Sequence, residues 1–275
     1  MTADSAARGY DDFYKAFDSP LMRQLRVEAY GKDIGQHSWV TAEEVLQDVP
    51  GLGLSRQSRI IDVGCGPCGP LTFVAGMVGC HGVGMDLSAP AIAAGRARAV
   101  SLGVDGLLTL HEGDLNKPLP FPGDSFDAAM SLDVILHVRD RAALLREVAR
   151  VLVPGGRFLF TDAGVITGSV SDGEIRLRSV HGYTQFAPPG FNEKMLEQAG
   201  LRLLQCTDRT ASLLKNAAGR LSARLAHRAE LERLEGPSSF ERQVRYLETV
   251  MDLSRRGAVS RMSYLAESRV DAAAR

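Results

Sequence analysis

Residues 59–70 read RIIDVGCGPCGP, a short apolar run that ends in an aspartate and empties into a turn holding three glycines, two cysteines and two prolines. So few side chains in one turn leave room for something to lie against the backbone. Gly64, Gly66 and Gly69 are spaced G-x-G-x-x-G, the pattern that opens a helix N-terminus to a ligand when a strand precedes it. The rest of the chain must then supply a strand before this turn, a helix after it, and a sheet to hold both.

The hydrophobic pattern supplies them. The run SRIIDVG (58–64) reads as a buried parallel strand, PLTFVAGMVG as a helix packed on the sheet, and CHGVGMDLS (80–88) as a second strand. Ser88 with Pro90 starts a helix that Gly103 ends, and LLTLHEGDL (107–115) is a third strand. The segment FPGDSFDAAMSLDV holds a turn and a fourth strand. In DRAALLREVARVLVPGG, residues Leu144, Leu145, Val148, Val151 and Leu152 form one helical stripe, and GRFLFTDA (156–163) follows as a fifth strand. Such alternation predicts an α/β fold: a doubly wound, mostly parallel sheet with helices on both faces.

After this the pattern changes. Residues 191–208 give one more helix and strand, 209–257 are helical in composition, and VSRMSYLAES (259–268) returns to strand. Within the helical stretch Leu214, Ala218, Leu221 and Leu225 make one stripe. Phe240, Val244, Leu247 and Met251 make another, after the Gly236-Pro237 break and a Ser238-to-Glu241 capping box. The expected organisation is an N-terminal helical arm and lid (1–45), a Rossmann-like cofactor-binding core (46–208), a helical cap insertion (209–257), and a last strand and tail (258–275).

Asp86 ends the second strand, 22 residues after Gly64, placed for two ribose hydroxyls. That leaves two readings: a nicotinamide-dependent oxidoreductase, or a binder of another adenosine-containing cofactor. Three features separate them. Asp62 stands two residues before Gly64, where a pyrophosphate would require an apolar side chain and a cationic ammonium group would favour a carboxylate. Asp114 ends the third strand within reach of an adenine amino group. FDAAMSLDVILHV is followed about twenty residues later by LVPGGRFLFTD, a fourth strand, helix, turn and fifth strand in order.

The runs IIDVGCGPCG, GVGMDLS, EGDL, FDAAMSLDVILHV and RVLVPGGRFLFTD together resemble the class I S-adenosylmethionine-dependent methyltransferases, in particular the bacterial small-molecule group, over residues 58–163. The resemblance implies a seven-stranded sheet with its last strand antiparallel, and S-adenosyl-L-methionine as cofactor. It implies that Gly64, Cys65 and Gly66 face the methionine part, Asp86 the ribose, and Asp114 with Leu115 the adenine. Gln36, Asp62, Leu87 and Ser131 complete the expected cofactor contacts. GKDIGQHSWVTAEEVL (31–46) also resembles the lid segment of phosphoethanolamine-type methyltransferases, which use a lid tyrosine paired with a histidine. The matching region here offers Gln36 and His37 with no tyrosine, which argues against a phosphobase as substrate.

Methyl transfer to a hydroxyl or ammonium group requires loss of a proton, and imidazole titrates in the right range. His137, directly after the fourth strand, is the expected base. Asp133, four residues earlier, would orient it if this segment is helical. His37, Trp39, His181 and Tyr183 are the expected walls of the substrate pocket.

Composition narrows the partners. With 32 Lys plus Arg against 33 Asp plus Glu the net charge is -1, so no basic field draws the chain to nucleic acid or an anionic membrane. An RNA or protein methyltransferase is thereby disfavoured against one acting on a small-molecule methyl acceptor; a module that binds the cofactor without chemistry is the other alternative. Residues 209–256 hold ten basic and six acidic residues, either a solvated face or an attraction for an acidic or phosphorylated acceptor. No stretch has the length of a signal peptide's apolar core or a spanning helix, so the cytoplasm is expected, as a monomer or homodimer. Cys65, Cys68, Cys80 and Cys206 are too few and too uneven for a disulfide framework, and the Cys65/Cys68 pair lacks the second pair that a zinc site needs.

Overall fold

A computed structural model of the 275-residue chain describes residues 11, 14–179 and 182–269. The sheet has seven strands: β1 (Arg59–Val63), β2 (His81–Asp86), β3 (Leu108–Glu112), β4 (Phe126–Leu132), β5 (Leu152–Ile166), β6 (Leu201–Asp208) and β7 (Val259–Ser268). Their spatial order is β3-β2-β1-β4-β5-β7-β6, and β7 runs antiparallel to both β5 and β6. The order therefore reverses between β1 and β4, which puts the crevice for a ligand at their carboxyl ends.

Period-two alternation decides which face each strand residue serves. Ile61, Ala129, Phe158 and Phe160 point to the face covered by α5 (Arg141–Val151) and α7 (Phe191–Gln198), through Leu144, Leu145, Val148 and Leu196. Ile60, Ala128, Met130 and Leu159 point to the other face. There α2 (Ala42–Asp48), α3 (Gly69–Val78) and α4 (Ala89–Ser101) pack through Val45, Leu71, Val74 and Ile92. Phe160 also stacks on Tyr264 of β7 with centroids 4.7 Å apart, which ties the antiparallel strand into the parallel part of the sheet.

Three helices lie between β6 and β7 in the chain: α8 (Thr210–Ala226), α9 (Arg228–Glu235) and α10 (Pro237–Arg255). With α1 (Pro20–Tyr30) they bury Leu25, Ala223, Leu231, Phe240 and Val244 in a cluster of their own. Phe240, Val244, Leu247 and Met251 are buried as the periodicity requires. The α8 stripe is rotated by about one residue from the expected one. Leu213 and Ala217 form its buried line, Leu214, Ala218 and Leu221 flank it, and Leu225 is exposed. Ser238 and Glu241 form no capping box, because α10 already begins at Pro237 with Gly236 as its cap. No helix among the described residues is long and apolar enough to cross a membrane.

Candidate active site

The carboxyl ends of β1 to β4 open into a cavity of about 220 Å³. The glycine turn forms its floor. Gly64 and Gly66 adopt φ of +82° and +52°, a region that disfavours residues with a side chain. A Cβ on Gly64 would also sit 2.3 Å from Val134. Gly69 serves a different contact. A Cβ there would lie 2.1 Å from the Gly35 carbonyl, so this glycine admits the segment 31–40 against the helix start.

The turn amides are already engaged. Those of Gly64 and Cys65 donate to the Met85 carbonyl at 2.7 and 3.1 Å, and that of Gly66 to Asp86 Oδ2 at 2.8 Å. Pro67 and Pro70 have no N–H to give. The amides of Gly64, Cys65 and Gly66 thus bond within the protein. The glycines provide space and hold a carboxylate.

Three carboxylates line this side of the cavity. Asp62 is 2% exposed, and no donor among the described residues reaches it. Burial, and then the charge of Asp86, push its pKa well above the usual carboxylate value, so it lacks a cationic partner. Asp86 accepts from the Gly66 and Ser88 amides at 2.8 and 2.9 Å; burial raises its pKa and those bonds work against the rise. With two lone pairs per oxygen it keeps an acceptor site on each. Asp114 Oδ1 accepts from Asn116, beside Leu115 and Leu87 at the rim. Cys65 also faces the cavity, its Sγ 3.1 Å from that of Cys68 and its pKa raised by burial.

His137, Asp133, Tyr183, His37 and Trp39 also line the cavity. His137 ends a short 3₁₀ turn, Ile135–His137, and its Nδ1 lies 2.9 Å from the Tyr183 carbonyl. A carbonyl only accepts, so the neutral imidazole carries its proton on Nδ1 and its lone pair on Nε2. Burial, the largest influence, pushes the His137 pKa below its ordinary 6.5, and the positive charge of Arg178 adds to this.

Several expected residues act differently. Asp133 is not one helical turn from His137: it has φ of +60°, and its carboxylate takes the Trp39 N–H, the Thr161 hydroxyl and the Arg261 guanidinium at 2.8, 2.8 and 2.9 Å. Its geometry is that of a clamp on segment 31–41, and the orienting bond on His137 comes from Tyr183 instead. Gln36 is 1% exposed and does not line this cavity; its amide bonds the Ile34 N–H and the Lys32 carbonyl, bracing its own loop. Ser131 is fully buried and donates to the Val63 carbonyl at 2.9 Å, a bridge between β4 and β1 below the floor. His181 lies outside the described residues.

Other wall residues have no motif that marks them in the sequence, or a weak one. Tyr14 meets His37 edge to face with centroids 5.5 Å apart, so an aromatic partner for this histidine comes from upstream of the segment that contains no tyrosine. The GYDDFYKAF cluster (9–17) was its signal. Arg178, Arg220 and Tyr246 come from helices far along the chain and carry no local motif.

A sheet of this order, with acidic residues ending its first strands beside a glycine turn, defines an α/β enzyme for a nucleoside-containing cofactor. Residues 61–160 match the methyltransferase-domain family. The chain is 31% identical to the sarcosine/dimethylglycine N-methyltransferase of Halorhodospira halochloris over 201 residues, 71% of this chain and 68% of that protein. It is 31% identical to methyltransferase GfsG of Streptomyces halstedii over 163 residues, 57% of each, and so spans little more than half of that relative's length. The phosphoethanolamine N-methyltransferase 2 of Haemonchus contortus, solved with phosphomonomethylethanolamine and S-adenosylhomocysteine, superposes with a TM-score of 0.77 at 19% identity, over 94% of this chain and 60% of that one. The chain belongs to the class I S-adenosylmethionine-dependent methyltransferases.

Proposed function

We propose that the protein transfers the methyl group of S-adenosylmethionine to a small metabolite or natural product, at oxygen, nitrogen or carbon. The observation that carries this reading is Asp62: a buried carboxylate with no donor among the described residues, beside a turn where Gly64 and Gly66 carry no side chain. An ammonium group supplies what it lacks, and a dinucleotide pyrophosphate would be repelled.

When bound, S-adenosylmethionine supplies a sulfonium with an electrophilic methyl group. In this reading Asp62 pairs with its amino group, and Asp86 accepts from the two ribose hydroxyls. Asp114, Leu115 and Leu87 flank the adenine, while Gly64, Cys65 and Gly66 border the methionine part. Trp39 and His37 close the cavity over the reacting groups. In-line displacement depends mainly on alignment in a dry site, which contributes roughly 7–11 kcal/mol where it is complete. The proton of a hydroxyl or ammonium acceptor passes to Nε2 of His137, which the Tyr183 carbonyl orients.

The test is calorimetry of the purified chain with S-adenosylmethionine, S-adenosylhomocysteine and NADH, followed by S-adenosylhomocysteine release over a metabolite panel. Uptake of the two sulfur nucleosides and not of NADH is expected, with release that depends on the acceptor. Binding of neither nucleoside overturns the reading.

A further inference from the structure

Five arginines are buried among the described residues: Arg26, Arg141, Arg178, Arg224 and Arg261. Four of them have a carboxylate within ion-pair distance, namely Asp33, Asp162, Glu235, and for Arg261 both Glu44 and Asp133. Arg178 does not. It ends α6 (Asp172–Arg178), is 4% exposed, and donates to two neutral acceptors, the Tyr246 hydroxyl and the Ala163 carbonyl, each at 2.9 Å. A guanidinium has five N–H donors, so most of this one's capacity is left over, and it lines the cavity.

A buried charge without a counter-ion is costly, and proteins retain one where a ligand completes it. The candidates within the cavity are committed elsewhere. Asp133 is held by Arg261, while Asp62, Asp86 and Asp114 lie at the ends of β1, β2 and β3. Arg178 sits beyond β4, against Tyr246 and the end of β5, where its charge is felt by His137. Arg220, from α8, adds a second cation on this wall: its guanidinium lies 4.5 Å over the Trp39 ring and forms no ion pair with a described residue. The cavity is thus acidic where the reading above puts the cofactor and basic where it puts the acceptor.

We propose that the methyl acceptor carries an oxyanion, a carboxylate or a phosphate, bound by the Arg178 guanidinium with Arg220 beside it. This rests on the methyltransferase reading and narrows its substrate class. Planar guanidinium binds either anion through paired N–H donors, so both share the recognition chemistry.

The experiment is calorimetry on the full chain saturated with S-adenosylhomocysteine, using benzoate, phenyl phosphate and the uncharged isostere benzamide as probes. Failure of the nucleoside to bind would count against the methyltransferase reading; the probes address only the anion site. The expected result is that benzoate or phenyl phosphate binds at least roughly tenfold more tightly than benzamide. Whichever anion prevails identifies the carboxylate or the phosphate. Arg178→Met abolishes the preference, Arg178→Lys restores part of it, and both leave nucleoside affinity within about threefold, below the effect of losing a charged hydrogen bond. Equal binding of benzamide, or no uptake of either anion at millimolar concentration, overturns the proposal in the wild-type chain without recourse to a variant. So does an anion preference that survives Arg178→Met. A large loss of nucleoside affinity in that variant would assign Arg178 to the cofactor's own carboxylate, and would also overturn it.

Discussion

The Asp133 carboxylate accepts the backbone N–H of Trp39 at 2.8 Å, across 94 residues of sequence. One bond thereby joins the end of β4, where His137 follows, to the segment that closes the cavity. Arg261 backs it from β7, with Nε on Asp133 and Nη1 on both oxygens of Glu44, the capping-box residue of α2. From the cap, Asn216 Nδ2 donates to the Trp39 carbonyl, and the Trp39 ring stacks on Tyr246. Trp39 is consequently held by β4, α8 and α10 together.

Arg261 is fully buried, and its pKa is raised by the two carboxylates against the cost of burial. Arg261→Met leaves both carboxylates buried and unpaired, and is expected to cost about 3–5 kcal/mol in denaturant unfolding. Adding Glu44→Gln should recover part of that loss, because one of the stranded charges is removed. A loss below about 1 kcal/mol, the level of a surface pair, would show that the network does not hold the fold.

Gly69→Ala tests the contact between the first helix of the glycine turn and the segment above it. At an open helical position alanine is favoured over glycine by up to about 1 kcal/mol. Here the new Cβ meets the Gly35 backbone, which has no flexible end to move aside. The expected outcome is a lower melting temperature together with weaker S-adenosylhomocysteine binding, since Ile34 to Trp39 must shift. A stabilised variant would mean that the segment does not rest on the helix start.

The sheet was legible because its signals are local. Apolar runs end in glycine or an acidic residue, and the β7 run is bounded at 259 and 268 as its sequence indicates. The cavity's acidic side was legible for the same reason, each aspartate standing at or just past a strand end. Gln36 and Ser131 were not, because whether an amide or hydroxyl faces a ligand or bonds its own backbone is decided by tertiary neighbours. The basic wall is the extreme case. Arg178 has nothing in its sequence surroundings to set it apart from the other arginines, and only the missing carboxylate in three dimensions does so.

Asp62 links function to stability. Its pKa is raised in the fold, so on raising the pH above about 3.8 the unfolded chain releases this proton first and native stability falls until the folded group has ionised. Asp62→Asn should therefore stabilise the ligand-free chain at neutral pH, with the gain vanishing below that unfolded value, where both states hold the proton. In the proposed reading the same change removes a charged hydrogen bond to the cofactor and is expected to weaken S-adenosylmethionine binding roughly 10- to 100-fold. Melting curves across pH, read beside calorimetry, check both signs. An Asn variant that binds as tightly as the wild type would detach Asp62 from the ligand.

For His137 the direction of the shift sets the pH profile. Burial and the Arg178 charge favour the neutral ring, while the Tyr183 carbonyl works against them. At pH 6.5, where a free imidazole would be half protonated, less than half of His137 carries the second proton, and Nε2 keeps its lone pair. The midpoint of the acid limb in turnover should accordingly fall below that value. If His137 is the proposed base, His137→Ala is expected to lower turnover by about a hundredfold and to remove that acid limb, with S-adenosylhomocysteine affinity unchanged. An acid limb that persists in the variant would belong to another group. Wild-type turnover in His137→Ala would leave alignment alone to carry the reaction, as expected for an acceptor that has no proton to lose.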